Sequence, residues 1–123
     1  VIKHALKLGI NFFDTANCYS AGTSEEYLGQ ALKKNVARDK VVIASKVYFN
    51  EGRLSKAAIE REIDGSLKRL GTDYLDLYII HRFDFDTPIE ESCSGKSAMS
   101  KRRNYDEGTH GNQLRGIRPP LCR

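Results

Sequence analysis

The first 91 residues alternate between short apolar runs and segments with helical periodicity, and this alternation constrains the fold more than any other feature. The apolar runs are INFF from Ile10, VVIAS from Val41 and LDLYII from Leu75, so a strand begins roughly every 30 residues, as in repeated strand–helix units. Strands separated by helices in this way are expected to lie parallel. An open doubly wound sheet and a (β/α)8 barrel both fit, and in both the functional residues lie at the carboxyl ends of the strands.

The segments between the strands carry signals for helix ends. The opening residues, VIKHALKL followed by Gly9, are interpreted as the end of a first helix. Thr23–Glu26 (TSEE) is typical of a capping box that starts the next helix. Ser55 is a candidate N-cap for a further helix, and Gly71 is placed to end it. The buried face of that helix is predicted to comprise Ala58, Ile59, Ile63, Leu67 and Leu70.

Each of the three strands runs into an ionisable residue. The first ends at Asp14, the second at Lys46 and the third at His81, while Tyr19 lies in the loop just beyond the first strand. Because the carboxyl ends of parallel strands share one edge of a sheet, we expect these four side chains to face one mouth. Each has an ordinary structural explanation by itself, but a lysine that ends a buried strand needs a partner.

Together these residue types suit the reduction of a carbonyl group. A tyrosine hydroxyl has an ordinary pKa of about 10, and a nearby ammonium draws the pKa of such a hydroxyl toward the working range of proton transfer. A carboxylate holds the ammonium in place, and an imidazole can hydrogen-bond and orient the substrate oxygen. The hydride must come from a cofactor, because no side chain supplies one.

The residues around these four positions resemble the aldo-keto reductase family. In GINFFDTANCYSAGTSEEYLGQAL, an Asp-Thr-Ala segment precedes a Tyr and then a Glu-x-x-Leu-Gly helix, as in that family. VVIASKVY and LGTDYLDLYIIHRFD match the segments that bring the family's Lys and His. The HRFD ending is most similar to the aryl-alcohol-dehydrogenase-like branch. The resemblance spans residues 1–91 and consists of several motifs in the right order.

The resemblance implies a role for each residue, a fold and a cofactor. Tyr19 would be the general acid, Lys46 and Asp14 its tuning pair, and His81 the group that orients the substrate; Asp14 would also line the nicotinamide site. The fold would be α/β, a partial (β/α)8 TIM barrel of about three consecutive β-α units. The activity would be NADPH-dependent reduction of small-molecule aldehydes or ketones to alcohols. Most of the family's cofactor-binding residues have no counterpart in this chain.

A change of composition at Ser92 divides the chain. Residues 1–91 hold 13 Lys and Arg against 14 Asp and Glu, whereas residues 92–123 hold 7 against 2 and have few large apolar side chains. We therefore predict a partial aldo-keto reductase domain over residues 1–91 and a basic, irregular or disordered tail over residues 92–123. Because the main body is nearly neutral, no nucleic-acid partner is predicted, and a tail that binds polyanions is the weakest hypothesis.

The remaining composition excludes other classes. No apolar run approaches the roughly 20 residues of a membrane span, so no membrane partner is predicted. The three cysteines, Cys18, Cys93 and Cys122, are odd in number and lack CxxC spacing, so neither a disulfide framework nor a metal site is indicated. A reducing compartment is the default for such a chain, which predicts a cytoplasmic localisation.

Two hypotheses about activity stay open. Three parallel strands alone would leave two open edges and the inward faces of INFF and LYII uncovered, so we expect marginal stability and self-association through the edges. The chain is either a working reductase or a truncated, non-catalytic fragment of one that associates with a full-length homologue. Binding of NADPH distinguishes these hypotheses.

Overall fold

Helices and strands alternate in the order that the sequence predicts. The computed structural model describes the backbone of residues 1–100 and the side chains of residues 1–95. The elements are α1 (Ile2–Lys7), β1 (Phe12–Asp14), α2 (Thr23–Asn35), β2 (Val42–Val47), α3 (Lys56–Leu70), β3 (Leu77–Ile80) and α4 (Ile89–Ser100). Short 3₁₀ turns lie at Tyr19–Gly22 and Arg38–Lys40. None of the helices within residues 1–100 is long and apolar enough to cross a membrane.

The three strands form one parallel sheet in the order β1-β2-β3. Asp14 pairs with Ala44, Ala44 pairs with Leu77, and Lys46 pairs with Ile79. Paired residues of neighbouring strands point to the same face. Asp14 and Lys46 therefore lie on one face of the sheet, which we call the inner face. Each strand is followed by a helix, so the described chain contains three consecutive β-α units, as predicted.

The opposite face of the sheet packs against α2 and α3 to form the hydrophobic core. The face of α3 predicted from the sequence is the one that packs there, with Leu67 partly buried. The core side chains are Leu28, Leu32, Val41, Ile43, Ile63, Leu70 and Leu75, with a second cluster of Val47, Leu54 and Ile59. Full burial of each aliphatic side chain of this size contributes about 1.5–3 kcal/mol. Within the described residues, the core therefore covers the face of the sheet that is opposite the inner face.

The inner face is largely uncovered. Phe12 is 49% exposed, Leu77 is 46% exposed and Ile79 is 37% exposed. Within the described residues, β1 and β3 each pair with β2 alone, so each leaves one edge open. The prediction that the inward residues of INFF and LYII would be exposed is confirmed at these three positions.

The helix-end predictions are confirmed for α3. The Ser55 hydroxyl accepts a hydrogen bond from the Ala58 N–H, as expected of an N-cap. Gly71 follows the helix with φ of 64°, in the left-handed region that glycine adopts without strain. Both signals are local in sequence, which is why they could be predicted.

The capping box predicted for α2 is wrong. The residue before the helix is Gly22, and Thr23 is already the first helical residue. The Thr23 hydroxyl donates to the Ser20 carbonyl at 2.8 Å instead of accepting from the helix. The reason is that the chain enters α2 through a left-handed turn, in which Ser20 has φ of 48° and Ala21 has φ of 52°.

Helix α4 continues through the point at which the sequence predicted a tail. Residues 92–100 extend the helix that begins at Ile89, so the expectation of irregular structure is wrong for them. Residues 101–123, where the rest of that prediction falls, lie outside the described residues.

The packing of α4 explains why its helix was missed. Two acidic residues, Glu90 and Glu91, occupy the first turn, where the helix dipole favours negative charge. The Ser92 hydroxyl donates to the carbonyl of Leu54 at 3.1 Å, and Gly95 lies against Ile59 of α3. Because this contact surface uses serine and glycine instead of large apolar residues, it leaves no hydrophobic period in the sequence.

Asp84 joins the loop after β3 to the loop before α3. It is only 3% exposed, and it accepts hydrogen bonds from the Thr87 hydroxyl at 2.7 Å and the Asp86 N–H at 3.1 Å. The Leu54 N–H also donates to it, at 3.3 Å. The Thr87 hydrogen bond, followed by those from the backbone, holds the pKa of Asp84 below its ordinary value.

Helices α2 and α3 approach each other most closely at Gly29. A methyl group on Gly29 would lie 2.1 Å from the carbonyl oxygen of Leu70, at the end of α3. This neighbour is backbone and cannot rotate away. Only glycine fits there, which gives a physical reason for the glycine in the Glu-x-x-Leu-Gly segment.

We expect Gly29→Ala to lower the free energy of unfolding by about 3 kcal/mol, because the helices must separate to admit the methyl group. Urea denaturation followed by circular dichroism measures this change. The control is Gln30→Ala, since Gln30 is the next residue of α2 and is exposed. That variant should change the free energy of unfolding by less than about 0.5 kcal/mol. Equal effects of the two substitutions would contradict the packing argument.

We expect Asp84 to stabilise the fold at neutral pH and to lose this effect in acid. Because the pKa of Asp84 is lowered on folding, the unfolded chain binds the proton first as the pH falls. The stabilisation is complete above the ordinary carboxyl value of 3.8 and declines as the pH falls through the lower pKa of the folded protein. In urea denaturation, Asp84→Asn should have a lower free energy of unfolding than the wild type at neutral pH. This difference in free energy should be smaller at about pH 3.

The matched control for this measurement is Asp73→Asn, since Asp73 is exposed and surface substitutions usually change stability by less than about 0.5 kcal/mol. If the difference in free energy of unfolding between Asp84→Asn and the wild type stays constant with pH, the charge of the Asp84 carboxylate does not stabilise the fold.

Candidate active site

The four residues predicted from the sequence meet at the carboxyl end of the sheet. Asp14 is the last residue of β1 and Lys46 is the next to last of β2, while Tyr19 begins the 3₁₀ turn after β1. His81 follows β3 directly, and its N–H donates to the carbonyl of Val47 at 3.0 Å. Parallel pairing therefore brings together four side chains that are far apart in the sequence.

The Lys46 ammonium connects the cluster. It donates hydrogen bonds to the Asp14 carboxylate, to the Thr15 carbonyl oxygen at 2.9 Å and to the Tyr19 hydroxyl oxygen at 3.3 Å. An ammonium has three N–H donors, so these three acceptors use all of them. Because Lys46 provides the hydrogen in its contact with Tyr19, the hydroxyl hydrogen of Tyr19 is not used there and can be donated to a third group.

The charge state of Lys46 follows from these contacts. Its side chain is 14% exposed, and burial by itself lowers the pKa of an ammonium. The hydrogen bonds to Asp14 and Tyr19, together with the charge of Asp14, outweigh this effect and raise the pKa of Lys46 above its ordinary value of 10.5. Lys46 is therefore positively charged at neutral pH.

His81 is held between two aromatic rings and a thiol. Its ring centroid lies 5.6 Å from that of Tyr19 and 5.1 Å from that of Phe49, both in edge-to-face geometry. Its Nδ1 atom lies 3.8 Å from Sγ of Cys18. Tyr19 remains 38% exposed, so a small molecule can reach its hydroxyl from solvent.

A buried ion pair supports Lys46 from the core side of the sheet. Glu25 is fully buried; the hydroxyl of Ser45 donates to one of its carboxylate oxygens at 2.5 Å, and Arg69 Nε donates to the other at 2.6 Å. These contacts tie α2 and α3 to the residue adjacent to Lys46. Removing one partner would leave a buried charge uncompensated, which is strongly destabilising.

Sequence reasoning missed the role of Glu25, although a signal was present. Glu25 lies three residues before Leu28 and seven before Leu32, on the buried face of α2. An acidic residue within an apolar stripe is unusual in an exposed helix and indicates a buried partner. The partner, Arg69, could not be identified from the same pattern.

The loop that carries Tyr19 is fixed by its own polar contacts. Thr15 Oγ1 lies 2.9 Å from Ser24 Oγ at the start of α2. Asn17 donates through Nδ2 to Glu62 of α3 at 3.0 Å and to Asn50 at 3.3 Å. The Thr-Ala-Asn segment after Asp14 therefore anchors the loop to both flanking helices, which places the Tyr19 ring beside Lys46.

Comparison with known proteins identifies the relatives of this chain. The model of the Aldo/keto reductase family matches residues 1–102. The aldo-keto reductase YhdN of Bacillus subtilis is 43% identical over 113 residues, a match that covers 87% of this chain and 33% of the relative.

Two solved structures are similar in fold. A thermostable aldo-keto reductase, Tm1743, in complex with the inhibitor epalrestat, matches with a TM-score of 0.77 and 37% identity, covering 82% of this chain and 36% of the other. An aldo/keto reductase of Klebsiella pneumoniae, in complex with NADP and acetate, matches with a TM-score of 0.71 and 38% identity, covering 81% of this chain and 34% of the other.

These neighbours are (β/α)8 barrels, and the three parallel strands described here correspond to part of such a barrel. The chain spans about a third of the length of the curated relatives that it matches. From the family match, the identities and the shared fold, we conclude that the chain belongs to the aldo/keto reductase family.

Proposed function

We propose that this chain carries the reacting groups of an NADPH-dependent reductase that converts aldehyde or ketone carbonyls to alcohols. The observation that carries the proposal is the hydrogen bond from Lys46 Nζ to the Tyr19 hydroxyl oxygen, at 3.3 Å. In this hydrogen bond the Tyr19 hydroxyl is the acceptor, so its hydrogen remains available for a substrate oxygen. The positive charge of Lys46 then lies beside the Tyr19 oxygen that loses the proton. The match to the aldo/keto reductase family, whose members are oxidoreductases, supports the same function.

Tyr19 is the proton donor in this mechanism. Its O–H bond breaks as a new O–H bond forms on the carbonyl oxygen, which leaves a phenolate on Tyr19. The charged Lys46 stabilises this phenolate through the existing hydrogen bond. Asp14 keeps the ammonium in place, and water can return the lost proton because Tyr19 is exposed on one side.

His81 orients the substrate. Its ring lies edge-to-face with that of Tyr19, so a carbonyl oxygen placed against the Tyr19 hydroxyl also lies near the imidazole. A hydrogen bond from a ring N–H would hold the oxygen there and polarise the carbonyl. Two donors at one oxygen fix the direction of the carbonyl carbon.

The residues present fit the reacting end of a nicotinamide cofactor. The Asp14 side chain is 47% exposed beside Lys46 on the inner face, so a ring can approach it from solvent. We propose that Asp14 lines the nicotinamide site. When bound, NADPH supplies the hydride that the carbonyl carbon receives. We propose no residue of this chain for the phosphate groups.

A second candidate function is supported by the uncovered inner face. Phe12, Leu77 and Ile79 form an exposed apolar surface on the sheet, and such surfaces usually mark a site of protein interaction. A non-catalytic chain that associates through this face with itself or with a full-length homologue would also account for it. Such a chain would bind no NADPH when purified alone.

We expect Tyr19→Phe to lower kcat/KM for the NADPH-dependent reduction of a simple aldehyde by at least about 100-fold, because the proton donor is lost. The binding of NADPH, followed by its fluorescence in a titration of the 123-residue chain, should change little. The control is Tyr27→Phe, since Tyr27 is 70% exposed on α2 and its loss should leave the rate unchanged.

Wild-type rates for Tyr19→Phe would refute the assignment of the proton donor. A wild-type chain that neither binds NADPH nor reduces the aldehyde would favour the second candidate function.

A further inference from the structure

We propose that Cys18 is a positioning residue, which determines which ring nitrogen of His81 carries the proton. The inference rests on the proposed carbonyl-reducing function, in which His81 donates a hydrogen bond to the substrate oxygen. Its basis is the distance of 3.8 Å between Cys18 Sγ and His81 Nδ1. Among the side-chain hydrogen bonds of the described residues, this one involves a nitrogen of the His81 ring.

The position of the proton matters because a neutral imidazole has one nitrogen that donates and one that accepts. If the Cys18 S–H donates to Nδ1, the ring proton must lie on Nε2. Nε2 can then donate to a carbonyl oxygen. With the opposite tautomer, Nε2 would present a lone pair to that oxygen and repel it. It would also compete with the substrate for the proton of Tyr19.

The direction of this hydrogen bond follows from the stronger acceptor of the pair. Sulfur is a weak acceptor, whereas an unprotonated imidazole nitrogen carries a localised lone pair and accepts strongly. An S–H to Nδ1 hydrogen bond is therefore favoured over one from Nδ1–H to sulfur. The geometry thus selects the tautomer that the mechanism needs.

The aromatic neighbours of His81 do not fix which way round its ring lies. Tyr19 and Phe49 contact the ring edge-to-face, which limits its tilt. A half-turn about the bond between Cβ and Cγ exchanges nitrogen and carbon positions while leaving the shape of the ring almost unchanged, and this torsion has roughly two-fold preferences. Only a hydrogen bond to a ring nitrogen distinguishes the two orientations, and Cys18 provides it.

The backbone around Cys18 holds the thiol in position. Its carbonyl oxygen accepts a hydrogen bond from the Ala21 N–H at 3.3 Å, which closes the turn that contains Tyr19. The side chain is partly buried. The same turn therefore delivers the proton donor, Tyr19, and the group that sets the protonation of His81.

The test is the tautomer of His81, read from the ¹⁵N shifts of its ring nitrogens in NMR spectra of the full 123-residue chain. Spectra are recorded at a pH about two units above the ordinary range of imidazole. The His81 signals are assigned by their loss in His81→Gln. We expect the wild type to show only the form protonated at Nε2.

Cys18→Ala, which has no donor, should show a mixture of both tautomers. The proposal is overturned if the wild type is protonated at Nδ1, or if Cys18→Ala gives the wild-type tautomer. The measurement requires neither cofactor nor turnover, so its failure is distinguishable from a failure of the proposed function, which is tested by the aldehyde assay.

The aldehyde assay gives a second readout. Cys18→Ala should lower kcat/KM about fivefold, the usual effect of losing one hydrogen bond. Cys93→Ala serves as the matched control, because Cys93 lies in α4 and not at the end of the sheet. A loss of activity in Cys18→Ala that leaves the His81 tautomer unchanged would show that the thiol acts through packing alone and would overturn the proposal.

Discussion

The ion pair between Asp14 and Lys46 is the interaction on which the rest of the site depends. It joins the ends of two neighbouring parallel strands and keeps a largely buried ammonium charged. Without a carboxylate partner, burial would lower the pKa of Lys46 and weaken the positive charge that stabilises a phenolate. The same ammonium fixes the Tyr19 hydroxyl and the Thr15 carbonyl. The ammonium nitrogen of Lys46 therefore links the two strand ends and also holds the proton donor, Tyr19.

The core side of the sheet maintains this arrangement. Side chains alternate along β2, so Lys46 points to the inner face while Ser45 points to the helices and binds the buried Glu25. Glu25 in turn binds Arg69, and Gly29 allows α2 and α3 to approach closely enough for these contacts. A small set of polar and glycine positions therefore determines the placement of the lysine, while the aliphatic core provides the bulk of the stability.

Local signals in the sequence predicted the strands, the end of α3 and the four candidate site residues. Asp14, Lys46 and His81 could be predicted because apolar runs stop at them. The turn at Ser20 and Ala21 could not, since neither residue favours a positive φ, and this turn is also why the capping box at Thr23 was wrong. The contact between Cys18 and His81 joins residues 63 positions apart in the sequence, which no local pattern brings together.

Three parallel strands suffice to bring the Tyr19 and His81 side chains together. The most direct test is a nuclear Overhauser measurement on the 123-residue chain in solution, between the ring protons of these two residues. Their ring centroids are 5.6 Å apart, so we predict clear cross-peaks, alongside cross-peaks between β1 and β2. Strand cross-peaks without any between the Tyr19 and His81 rings would contradict the account, because the sheet would then form without assembling the site.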